Sequence, residues 1–189
     1  MNVAAPAVPR SVARSRTVVA AAVAAGALAV ALASQLAVPL PGTPVPMTLQ
    51  PLAVLLVGGI LGGRRGAAAM VLYLLAGAAG LPVFTPFGAP GLARLLGPTG
   101  GYLVAFPFAA ALAGWIVGRW SGWPAVIAAP LAGMLAIHLG GLAQLLMLTG
   151  GVGAAVVLGT LPFVLGDLLK VLVAALVLRR SRPWTRALG

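Results

Sequence analysis

Long apolar runs, most of them without any charge, recur along this sequence. They cover about residues 17–38, 47–63, 66–80, 100–118 and 123–148, and a sixth at 161–178 holds one acid and one base. A helix crossing a bilayer core about 30 Å thick needs roughly 17 to 25 apolar residues, so each run is a candidate span. Charged residues make up only 7% of the chain, against roughly a quarter in a soluble domain. With a mean hydropathy of +1.12, the chain is expected to dissolve in lipid. The proline-rich 39–46, "PLPGTPVP", cannot continue a helix, because proline fixes φ and lacks a donor. The stretch between the third and fourth runs is too rich in Gly and Pro to span. The expected fold is all-α, with six transmembrane helices.

The arginines fix the orientation. Arg10, Arg14 and Arg16 precede the first run, Arg64 and Arg65 follow the second, Arg119 follows the fourth, and Arg179, Arg180, Arg182 and Arg186 follow the sixth. With six spans all these clusters fall on one side, and only Arg94 falls on the other. Positive charge is retained in the cytoplasm, so both termini are predicted cytoplasmic. The organisation is then a basic tail (1–16), a six-helix membrane domain (17–180) and a second basic tail (181–189). The start also mimics a signal peptide, with arginines, an apolar run and Ala31-Leu32-Ala33; the run reaches Val38, longer than such a segment needs, which favours a retained span. The formal charge of +11 does not imply nucleic acid, because the arginines lie between apolar runs and form no basic face. Cysteine is absent, which removes disulfides and thiolate chemistry.

Asp167 is the chain's only acid and Lys170 its only lysine, three residues apart in the sixth run. Burying an ionisable group at mid-bilayer costs roughly 2.5 to 3.5 kcal/mol, so intramembrane charges point to a function. The i, i+3 spacing lets the two neutralise each other, yet a buried pair adds little net stability over apolar replacements. Pro162 suits a first helical turn and Thr160 lies near the cap, so this helix starts within the apolar zone. Free backbone at that depth must border protein or a cavity. An outward-opening cavity follows, with the charged pair at its floor and the loop before the fourth span as its lid.

Three stretches, "PGTPVPMTLQPLAVLLVGGILGGRRGAAAMVLYLLAGAAGLPVF" (41–84), "LLGPTGGYLVAFPFAAALAG" (95–114) and "LPFVLGDLLK" (161–170), together resemble the BioY family. These are the biotin-capturing S components of energy-coupling-factor (ECF) vitamin transporters. The resemblance implies an S-component-like bundle in a bacterial cell membrane. It implies biotin as ligand, and as partners an ECF transmembrane coupling subunit and two cytosolic ATPases. The family's G-D-L-x-K aspartate and lysine fall on Asp167 and Lys170. In "GPTGGY", Thr99, Gly100, Gly101 and Tyr102 are expected at the ligand, with free amides at the start of the fourth helix; an ordinary helix-start turn with Tyr102 as an interfacial anchor is the alternative. Gln50 either turns its amide into the cavity or bonds backbone near a helix start. Arg94 is either a ligand contact or a surface charge. Leu165 stands where the family often has proline, which opens the local backbone to question. On the first helix, Ala21, Ala25, Ala29 and Ala33 form a small-residue stripe that either matches the family's docking face for the coupling subunit or serves ordinary packing within the bundle, in a helix that is small on nearly every face.

Other polar residues fit structural roles. Tyr73 is expected to pack, His138 and Gln144 to make helix–helix hydrogen bonds, and Trp115, Trp120, Trp123 and Trp184 to sit at the cytoplasmic interface. No cofactor or metal is expected, and no G-x-x-x-x-G-K-[ST] loop occurs for ATP. A proton-coupled transporter with Asp167 as carrier is the alternative function, without evident inverted halves to favour it. One aspartate, one histidine and no glutamate leave little for an enzyme.

Overall fold

A computed structural model describes residues 10–188, with side chains over 16–181. The side chains of Arg10, Arg14, Arg182, Trp184 and Arg186, and with them most of the two expected tails, lie outside the described residues. In chain order the elements are α1 (Arg10–Gln35), β1 (Ala37–Val38), β2 (Met47–Thr48), α2 (Gln50–Leu61), α3 (Gly63–Ala78), α4 (Leu92–Leu96), α5 (Gly100–Arg119), α6 (Gly122–Thr149), α7 (Val152–Gly159), a 3₁₀ turn (Leu161–Phe163) and α8 (Val164–Leu188).

The six apolar runs thus correspond to α1, α2, α3, α5, α6 and α8. Among the described residues, four stretches are long and apolar enough to cross a membrane: Arg16–Gln35, Gly100–Arg119, Gly122–Thr149 and Val152–Ser181. At 12 residues α2 is about 18 Å long, short for a bilayer core. It compensates by its position, packing against α1, α3, α5, α6 and α8, with Val54 and Leu55 fully buried.

Three details depart from the sequence reading. The hinge between α2 and α3 is Gly62, at a left-handed φ of +83°, and Arg64 and Arg65 already lie in the first turn of α3. The proline-rich segment is bracketed by a two-residue antiparallel pair, with Ala37 opposite Thr48. Ahead of α8 the chain forms an additional helix, α7, which packs on α6 through the buried Ala155.

Close helix contact comes from small residues. A Cβ added to Gly58 of α2 would lie 2.7 Å from the Ala110 Cα of α5, and one on Gly114 of α5 would lie 2.6 Å from the backbone carbon of Gly62. Such approaches bring backbones together where lipid offers no hydrophobic drive for association. The outward faces carry Leu32, Leu135, Leu139, Leu169 and Leu172, all exposed, as a lipid-facing surface requires.

Candidate ligand-binding site

The helices converge on a cavity enclosing about 600 Å³ of atom-free space, its open mouth included. Its lining comes from the start of α2 (Gln50, Pro51), the segment after α3 (Phe84, Thr85), the start of α5 (Tyr102, Leu103, Phe106), mid-α6 (Met134, Ile137, His138) and the start of α8 (Asp167, Lys170). Val45, Pro46 and Arg94 close it from the two loops, so the lid includes the proline-rich segment as well as the loop before α5. Its walls are largely apolar with a few convergent polar groups, the usual constitution of a small-molecule site.

Pro162 sets the 3₁₀ turn that precedes α8, and this places Asp167 in the helix's first turn. Lys170 Nζ donates to Asp167 Oδ1 at 2.8 Å, and His138 Nε2 lies 2.8 Å from Asp167 Oδ2. All three line the cavity, and Asp167 and Lys170 are only 7% and 6% exposed. His138 does make the helix–helix bond expected of it, from α6 to α8, but its place in the cavity wall was not foreseen. Its partner lies 29 residues away in sequence, and no local spacing signals that contact.

Arg94 is 6% exposed and is no surface charge. Its Nη2 donates to Thr85 O at 2.8 Å and its Nη1 to Phe87 O, while Nε is buried without a partner. Desolvation lowers its pKa from the ordinary arginine value. The guanidinium so ties the segment after α3 to α4 at the cavity wall. A second set of donors holds the same loop: Ser34 Oγ to Val83 O at 2.7 Å and Gln35 Nε2 to Phe84 O at 3.0 Å. Gln144 Nε2 donates to Leu95 O at 3.0 Å and Gly97 O at 2.7 Å, joining α6 to the end of α4.

Gln50 lines the cavity while its Nε2 donates to the Tyr73 hydroxyl at 2.6 Å and its Oε1 accepts from Thr48 at 3.2 Å. Tyr73 is packed between Phe84 and Phe106, outside the lining. The Tyr102 ring forms part of the wall, and its hydroxyl donates to Gly159 O at 2.6 Å, next to the break before α8. Thr99 also lines the cavity. Gly100 and Gly101 do not: the Gly100 amide donates to Gly97 O at 3.0 Å, and Gly101 packs against Gly140 of α6. Of the amides expected to be free here, that of Gly100 is bonded, and Gly101 serves close packing, since a Cβ on it would come within 2.8 Å of the Gln144 Cβ. Leu165, 83% exposed, points outward from an ordinary helical turn and leaves the Asp167 backbone regular.

The BioY family model matches residues 6–187. This chain belongs to the BioY family. It is 41% identical over 137 residues to the probable biotin transporter BioY of Pyrococcus horikoshii, covering 72% of this chain and 80% of that one. To the biotin transporter BioY of Thermotoga maritima it is 38% identical over 143 residues, covering 76% and 84%. Among solved structures it is similar to the S-component for biotin from an ECF-type ABC transporter, with a TM-score of 0.79, 25% identity, and coverage of 94% of this chain and 95% of that one. A BioY-family chain with these apolar helices is a multi-pass membrane protein.

Proposed function

We propose that this BioY-family protein captures biotin from the external side as the S component of an ECF importer, while partner ATPases supply the energy. The observation that carries this reading is the charge balance of the cavity. Asp167 is the only Asp or Glu in the chain and is engaged by Lys170 and His138, so the buried Arg94 has only carbonyl partners. Leaving His138 aside, the charges of Asp167, Lys170 and Arg94 leave one positive charge uncompensated. Biotin brings one carboxylate and, at its other end, a ureido ring with two N–H donors and a carbonyl.

That division of charge sets the ligand's orientation. Lys170 is neutralised in place, so the valerate carboxylate goes to Arg94, whose planar fork suits it. The ureido ring meets Asp167, which accepts from N–H, and Lys170, which donates to the carbonyl. Thr99, Gln50 and the ring of Tyr102 complete the wall. Orientation is tested by calorimetry on purified protein. Asp167→Asn and Arg94→Gln should each weaken biotin about 10-fold or more, the range for a hydrogen bond to a charged group. The Arg94→Gln loss should largely vanish when biotin amide replaces biotin; equal losses for both ligands would reverse the assignment.

The coupling subunit docks on α1 in this reading. Ala21, Ala25 and Ala29 lie on its exposed face, opposite the buried Ala27 and Val30. Ala25→Leu should abolish co-purification with an ECF coupling subunit and leave biotin binding intact; retained co-purification would move the docking face elsewhere. Catalysis is not required of this chain.

A further inference from the structure

The chain's only acid, only lysine and only histidine form one hydrogen-bonded row, Lys170–Asp167–His138. A carboxylate alone has a broad torsional well about its last bond. Lys170, on the same helix, holds only Oδ1. Oδ2 is held from across the helix interface by His138, whose ring is itself fixed. It stands edge-on to Tyr102 with centroids 6.1 Å apart, and its Nδ1 lies 3.5 Å from Thr160 Oγ1. A carboxylate only accepts, so Nε2 carries the hydrogen, and in the neutral ring Nδ1 is left as an acceptor facing the Thr160 hydroxyl.

Helix cohesion does not require this bond. Ala129 and Met134 of α6 share an apolar cluster with Val171 and Ala174 of α8. Of roughly four lone-pair sites on a carboxylate, two are used here by donors on separate helices, which leaves one on each oxygen for a ligand.

We propose that His138 is a positioning residue for ligand capture: it locks the Asp167 carboxylate in the orientation that presents its remaining lone pairs to the cavity. This rests on the reading that the ligand meets Asp167.

The composition makes the test clean. Protein labelled with ¹³C at the aspartate side-chain carboxyl gives one such resonance, and ¹⁵N-histidine gives one imidazole, because each residue occurs once. In the unaltered protein the imidazole should be protonated at Nε2; hydrogen at Nδ1 alone would overturn the proposal without any variant. His138→Leu should shift the Asp167 carboxyl signal and weaken biotin about 10-fold or more. His138→Gln, which carries a side-chain amide donor, should restore the signal and most of the affinity. An unmoved carboxyl signal in His138→Leu, or equal affinity losses in the two variants, would also overturn it. Should the unaltered protein bind no biotin, the functional reading falls, while the two labels still decide whether His138 holds Asp167.

Discussion

Asp167 and Lys170 face each other as opposite charges, bonded at 2.8 Å with almost no solvent contact. Removing one partner of a buried pair strands the other and destabilises by about 3–5 kcal/mol, whereas replacing both with apolar residues is often close to neutral. Asp167→Leu should therefore lower the thermal unfolding midpoint in detergent, Asp167→Leu/Lys170→Met should recover most of it, and neither should bind biotin. A double variant no more stable than the single one would refute mutual neutralisation. The i, i+3 spacing made this pair legible in the sequence, since one helix fixes it. His138 was legible only as a polar residue in a span, because the contact depends on how α6 is rotated against α8. Arg94 was ambiguous for a related reason: the carbonyls of Thr85 and Phe87 that bury it belong to a loop whose path no periodicity encodes.

Among the helices, α5 is the most closely approached, meeting α2 and α3 at Gly114 and α6 at Gly101. A side chain at Gly114 would press on the Gly62–Gly63 hinge as well as on Gly58, all backbone that cannot rotate away. Gly114→Val should destabilise by at least the ~1–3 kcal/mol typical of overpacking, read as a lower unfolding midpoint. Gly153→Ala on α7, where nothing lies within 4 Å of the added Cβ, should be neutral or stabilising. Similar midpoints for the two would mean that the α5 crossing is looser than described. Helices of this kind were readable from uncharged length alone, and five of the six runs end within about three residues of the observed elements. The break before α8 shows the limit of that signal. The stretch over 149–160 is apolar and glycine-rich whether helical or not, and packing of Ala155 and Gly159 against α6 decides for α7. Pro162 marked where α8 could start but carried nothing about the helix ahead of it.

For the whole molecule, the cavity and most of the arginines lie at opposite ends of the helices. Gln50, Tyr102 and Asp167 stand near the starts of α2, α5 and α8, whereas Arg119 stands at the end of α5, Arg179 in the second half of α8, and Arg64 and Arg65 in the first turn of α3. Arg179 lies over the Trp123 ring at 5.0 Å, and Trp115 meets Trp120 at 5.2 Å, an arginine–tryptophan belt fitted to a membrane interface. Arg94, the arginine at the cavity end, is buried among carbonyls and does not weaken this asymmetry. On the positive-inside rule, the cavity is expected to face outward and both termini to lie in the cytoplasm. The chain has no cysteine, so single cysteines report position without background. Ala89→Cys, in the exposed loop beside the cavity, should react with a membrane-impermeant maleimide on intact cells, and Ser121→Cys, in the turn between α5 and α6, only after the membrane is opened. The reverse pattern would invert the protein and put the cavity on the cytoplasmic side, where capture of external biotin is impossible.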